Sequence, residues 1–235
     1  MIEWITLLAE PKRVREPNGL VYSTAPREAL ATDGKTYIIK GPELPVVFAE
    51  HAGYSLAECL GLPVPEHALC STPQGIVFAS RKLPLRFAGD DMFATGSVVN
   101  PELLSFLSAF DVWIANEDRN VNNFVGDYEG RGTKLFAIDF EKAHALNGRM
   151  DLFSVTARPP REMMPREGLG ARCKGQPFPT EMCDRIAQNT NTLDRIVDNW
   201  HSDLGLSRIT WADRARSILT QRAQRISSLV QEAWR

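Results

Sequence analysis

The chain of 235 residues carries 27 lysines and arginines against 29 aspartates and glutamates, a formal net charge of −2, which offers no sequence-independent footprint for nucleic acid. With 43% hydrophobic and 24% charged residues it reads as an ordinary soluble globular protein, long enough for one large domain or two small lobes sharing a cleft. The opening residues are interrupted by Glu3 and Glu10 and no later apolar run approaches spanning length, so a cytoplasmic protein without membrane contact is expected. Cys59, Cys70, Cys173 and Cys183 lack CxxC spacing and the four histidines are scattered; reduced thiols and no zinc site are the expectation.

In chain order, Leu20–Ser23 and Thr36–Ile39 are short β-rich runs, with Thr32-Asp33-Gly34-Lys35 as the turn signal between them. Apolar residues at Val47, Phe48, Ala52, Leu56, Ala57 and Leu60 predict a helix over Pro45–Leu60, stopped by Gly61 and Pro63. Ala68–Cys70 and Gly75–Ala79 predict a second hairpin, turned by Thr72-Pro73-Gln74, and the turn-rich Lys82–Asn100 a crossing between lobes. Pro101 then opens an apolar helix. Two strands follow, Asn123–Val125 and Lys134–Ile138, joined by Gly126–Gly132. Thr156–Pro179, rich in Pro, Gly and Arg, predicts a long functional loop. From Thr180 onward the chain reads as helical, its arginines Arg214, Arg216, Arg222 and Arg225 taken as a solvated helix face.

Between the apolar helix and the strand pair lies Asn116-Glu117-Asp118-Arg119-Asn120-Val121-Asn122-Asn123. An Asp followed five positions later by an Asn suits a phosphotransfer loop: the Asp accepts the proton of the attacking hydroxyl, the Asn amide oxygen holds Mg²⁺. The same spacing recurs at Asp111/Asn116, Asp184/Asn189 and Asp194/Asn199. Only Asp118/Asn123 sits where a helix gives way to a strand pair. Asp139, after the apolar run Leu135–Ile138, either caps a turn or joins Asn123 as a second hard oxygen ligand; Mg²⁺ needs few protein ligands because it keeps its waters. Lys40 ends the β-run Tyr37-Ile38-Ile39, as a phosphate-pairing lysine does. Glu50 lies ten residues on, with Glu43 and Glu58 as competing partners.

These residues resemble the HipA-like kinase family, in its shorter branch without the large N-terminal extension. The likeness rests on Tyr37–Lys40, on Glu50 with Leu60-Gly61-Leu62-Pro63-Val64-Pro65, on Phe110–Arg119 and on Ala137-Ile138-Asp139. It covers roughly Leu20 to His144. The resemblance implies an α+β, two-lobed protein-kinase-like fold, with a β-rich N-lobe (1–83) and a mainly helical C-lobe (84–235). It further implies ATP and Mg²⁺, with Asp118 as catalytic base, Asn123 and Asp139 on the metal, and Glu50 as partner of Lys40. Adenine would meet backbone groups around Ser80–Leu83, including Arg81 and Leu83, and hydroxyls of Ser23 and Thr24 would lie over the phosphates. The acceptor it implies is a protein Ser or Thr, with an antitoxin-like regulatory partner. Two other readings stay open: a small-molecule kinase of aminoglycoside or choline type, and a nucleotide-binding pseudokinase. Two features depart from the pattern, and the C-terminal third of the chain matches nothing in it. The cover segment Tyr22–Arg27 contains no glycine, and Asp139 is followed by Phe140-Glu141 where a protein kinase has Phe-Gly.

Overall fold

The computed structural model describes residues 3–14, 27–86, 98–116, 119, 123–147, 177–203 and 210–234. A five-stranded antiparallel sheet fills the first third: β1 (Lys12–Arg13), β2 (Arg27–Leu30), β3 (Thr36–Lys40), β4 (His67–Thr72) and β5 (Gly75–Arg81), in the order β1-β2-β3-β5-β4. Both turn signals appear where expected. Gly34, at φ 79°, turns β2 into β3, and the strand that pairs with β3 is Arg27–Leu30. The predicted strand Leu20–Ser23 falls outside the described residues. Side chains alternate across β3: Tyr37 and Ile39 join a small apolar cluster with Ala79, Val77 and Cys70. The next residue in register, Lys40, belongs to the opposite face.

That face is covered by α1 (Leu44–Cys59), which is buried along most of its length. It starts with proline in its first turn, where a missing N–H costs nothing. It ends in a Schellman motif: Gly61 at φ 78° donates its N–H to Glu58 O (2.9 Å), and Leu62 N–H reaches Ala57 O (2.9 Å). Gly61 therefore stops the helix as read, because only glycine takes the left-handed conformation there without cost.

The crossing contains β6 (Leu85–Arg86), which joins β7 (Phe124–Glu129) and β8 (Gly132–Ala137) in a second, three-stranded sheet. The β7–β8 hairpin is longer and its turn tighter than expected. Glu129 pairs with Gly132, leaving Gly130-Arg131 as the turn. The outer half of β7 carries no apolar alternation to read: Phe124, Val125 and Gly126 are buried, whereas Tyr128 and Glu129 are exposed. Before the ribbon runs α2 (Leu103–Ile114), almost wholly buried. The remainder is helical: α3 (Thr180–Gln188), α4 (Thr190–Asp203), α5 (Thr210–Ala223) and α6 (Ile226–Trp234). One apolar core runs from α1 through α2 into these helices, so the β-rich and helical parts share it. Trp200 of α4 meets Phe48 of α1 edge-on (ring centroids 5.0 Å) and donates its indole N–H to His51 Nδ1 (2.8 Å). Among the described helices none is long and apolar enough to cross a membrane.

The arginines of α5 correct one expectation. Arg222 is fully buried, not part of a solvated face. It lies in register with Ala215, Ile218 and Leu219 on the inward side of the helix. Its Nε donates to Trp113 O (2.8 Å) and its Nη2 to Val112 O. It thereby adds donors to carbonyls of the last turn of α2, where Val112 O otherwise receives the Ala115 N–H at 3.3 Å.

Candidate functional site

Lys40 leaves the end of β3 toward α1 and the segment after β8. Its Nζ lies 2.6 Å from Glu50 Oε1, 2.7 Å from Asp139 Oδ1 and 3.4 Å from Glu141 Oε2. The competition among glutamates is thus resolved in favour of Glu50. Carboxylates from both near and far in sequence, Glu50 ten positions and Asp139 99 positions from Lys40, meet at one ammonium. Glu50 Oε1 also accepts the backbone N–H groups of Phe140 (3.1 Å) and Glu141 (3.0 Å), fixing the turn after Asp139 to α1. Asp139 itself adopts φ 68°, a conformation side chains seldom take and one that aspartate tolerates better than most.

Electrostatics follow from this crowding. Burial disfavours the charge on Lys40, yet Asp139, Glu50 and Glu141 together raise its pKa well above that of an ordinary lysine. Burial pushes Glu50 up to about 7, with the Lys40 charge pulling back. Asp139 is opposed by burial too, but the Lys40 ammonium holds it below the usual carboxylate range.

A second network lies beneath the first. Asp111, fully buried in α2, receives Arg119 Nε (2.8 Å) and Nη2 (3.1 Å) and the Asn116 amide (3.0 Å). Arg119 Nη1 donates to Asn123 O (3.1 Å) and to Ile138 O. Its guanidinium sits 4.9 Å from the Phe140 ring centroid. The Asn116 amide also reaches Asp139 O (3.4 Å), and Ile138 N–H donates to Asn123 O (3.1 Å). Arg119 therefore holds the backbones of Asn123 and Ile138 in fixed relation, side by side at the start of β7 and the end of β8. Sequence reading passed over this scaffold. An aspartate inside the apolar run Phe110–Ala115 was the available signal, because a buried carboxylate requires a paired donor.

The other expected residues divide. Asn123 is buried, its backbone carbonyl accepting the N–H of Ile138, the residue before Asp139. Asp118, Ser23 and Thr24 lie outside the described residues. Arg81 donates its backbone N–H to Glu66 O (2.7 Å) and its Nη1 to the Glu66 carboxylate (3.0 Å). Lys82 N–H is taken by Thr36 O (2.8 Å), and Leu83 is buried next to it. The Leu60–Pro65 motif acts as a brace, Pro63 O accepting Ala137 N–H (2.9 Å) at the end of β8.

A sheet with one covering helix, a lysine held by a glutamate of that helix, and an aspartate at a downstream strand end define a protein-kinase-like fold. Structural comparison agrees. The chain resembles a Helicobacter pylori proinflammatory kinase, CtkA, at 13% identity with a TM-score of 0.57, covering 97% of this chain and 96% of that one. It also resembles HipA of Shewanella oneidensis, solved with HipB and operator DNA, at 11% identity and TM-score 0.50, covering 94% and 67% of the two chains. A search of curated proteins returned no match. The family model for HipA-like kinases matches residues 21–224, and the chain belongs to that family.

Proposed function

We propose that this chain is a Mg²⁺- and ATP-dependent phosphotransferase that transfers the γ-phosphoryl group to a serine or threonine hydroxyl of a protein. The observation that carries the reading is the junction of Lys40 with both Glu50 and Asp139. It sets a phosphate-pairing cation beside a hard oxygen ligand. The donor set fits magnesium: Asp139 and Asn123 lie at adjacent strand ends, and a buried oxygen of Glu50 close by has no hydrogen-bond partner. Bound Mg²⁺ would neutralise phosphate charge. The chain's own residues do the rest. Glu50 orients Lys40 toward the phosphates, Arg119 keeps Asn123 and Ile138 in register, and Asp118 receives the proton of the acceptor hydroxyl.

Ser23 and Thr24 supply hydroxyls over the phosphates, and Arg81 and Leu83 are the residues assigned to adenine. The boundary between the N-lobe (1–83) and the C-lobe (84–235) falls at that crossing. By analogy with the Shewanella protein and its HipB partner, a regulatory protein partner in the cytoplasm is part of the proposal.

The test is transfer of label from γ-labelled ATP into a cell lysate, followed by identification of the acceptor. Metal-dependent labelling of a protein Ser or Thr is expected. Asp118→Ala and Asp139→Asn should abolish it, with ATP binding nearly intact in the first. Tight ATP binding without transfer to lysate or to the protein itself would replace this reading with a nucleotide-binding module.

A further inference from the structure

Lys40 is one cation facing three carboxylates. Glu50, Asp139 and Glu141 each offer an oxygen, all within 4.8 Å of one another. Two of these acids have evident duties: Glu50 orients the lysine and the turn, and Asp139 faces the proposed metal. Glu141 has none. Its Oε2 stands 3.4 Å from an ammonium already held at 2.6 and 2.7 Å by stronger partners, so it adds little to that bond. Yet the side chain folds inward, 13% exposed, where a glutamate just past a strand would ordinarily extend into water. Its backbone holds it there through the Glu141 N–H bond to Glu50 Oε1.

The neighbouring Glu50 supplies an independent sign that something is missing. Its Oε2 is buried, in a residue with no exposed surface, and has no hydrogen-bond partner. It belongs to a carboxyl group within hydrogen-bonding reach of Asp139, another acceptor. Such an oxygen costs free energy unless a proton or a cation serves it. The cluster is short of positive charge at the point where a triphosphate would arrive.

We propose that Glu141 is a further protein ligand of the divalent cation, beside Asp139, and that cation binding there frees Lys40 for the nucleotide. This rests on the phosphotransferase reading and deepens it. In the metal-free protein Lys40 is bound among carboxylates, and a triphosphate meets their repulsion. Once a divalent ion engages Asp139 and Glu141, Lys40 keeps Glu50 and gains a phosphate partner. Metal and nucleotide should therefore bind with positive coupling, and part of the coupling should pass through Glu141.

Two measurements test this without relying on turnover. Mn²⁺ alone, titrated into the full chain and followed by electron paramagnetic resonance, should bind about tenfold or more weakly in Glu141→Gln, with partial recovery in Glu141→Asp. A fluorescent ATP analogue should bind Glu141→Gln more tightly than wild type in EDTA, because a negative charge has left. Its gain in affinity on adding Mg²⁺ should shrink. A merely structural role would weaken binding in both conditions. Unchanged Mn²⁺ affinity in Glu141→Gln, or no Mn²⁺ binding by wild type at millimolar concentration, would overturn the inference. Mn²⁺ bound through Glu141 in a protein that transfers no phosphate would instead sustain it and remove the kinase reading.

Discussion

Two buried ionic networks lie against each other here, and they are built to opposite standards. Around Asp111 the carboxylate is met by a bidentate guanidinium and an amide, and Arg119 spends its remaining donors on two carbonyls. Around Lys40 three carboxylates share one ammonium, and one buried oxygen has no partner. The first network is complete within the protein, as a load-carrying joint should be. The second is left incomplete within the protein, which suits the binding role proposed for it.

Substitutions can break that contrast. Asp111→Asn should have the largest effect, since it strands a buried guanidinium; a loss of about 3–5 kcal/mol is expected in denaturant unfolding. An effect under 1 kcal/mol would show that the joint carries little weight. Gly53→Ala strikes where the networks meet. A methyl group there would come within 2.6 Å of Phe140 Cβ, and Phe140 underlies Arg119 while its N–H binds Glu50. Overpacking should cost about 1–3 kcal/mol and weaken nucleotide binding as the Asp139–Glu141 turn shifts.

Glu50→Gln should have the smallest effect on stability, below about 1 kcal/mol in mildly acidic solution. The amide mimics a protonated Glu50, whose pKa burial already lifts to about 7. The sign of the pH dependence follows. A raised folded-state pKa contributes stability that is full below about 4.5 and is lost as pH rises through about 7. The advantage of wild type over Glu50→Gln should therefore fall by up to about 1.4 kcal/mol per pH unit across that window. A difference that grows with pH would mean Glu50 is ionised throughout, and the contrast between the networks would narrow.

The open network was the legible one. Lys40, Glu50 and Asp139 announce themselves through strand ends, helix spacing and a known family pattern. The closed network was written in the same letters but read otherwise. Asp111/Asn116 was set aside as one of several equal spacings, and it is the base of the scaffold. Arg222 was misread for a related reason. Charge suggested solvent, whereas its register with Ile218 and Leu219 already placed it inside. The strand Arg27–Leu30 was missed because its four residues show no apolar alternation, with Ala29 buried and Leu30 exposed beside the charged Arg27 and Glu28.

Arg222 carries one more consequence, in time rather than space. The carbonyls it caps belong to Val112 and Trp113, about a hundred positions earlier in the chain. On a ribosome, α2 emerges long before its cap exists. The end of α2 gains this support only after residue 222 has been made. Synthesis order alone thus defers the finishing of α2 until most of α5 has been made.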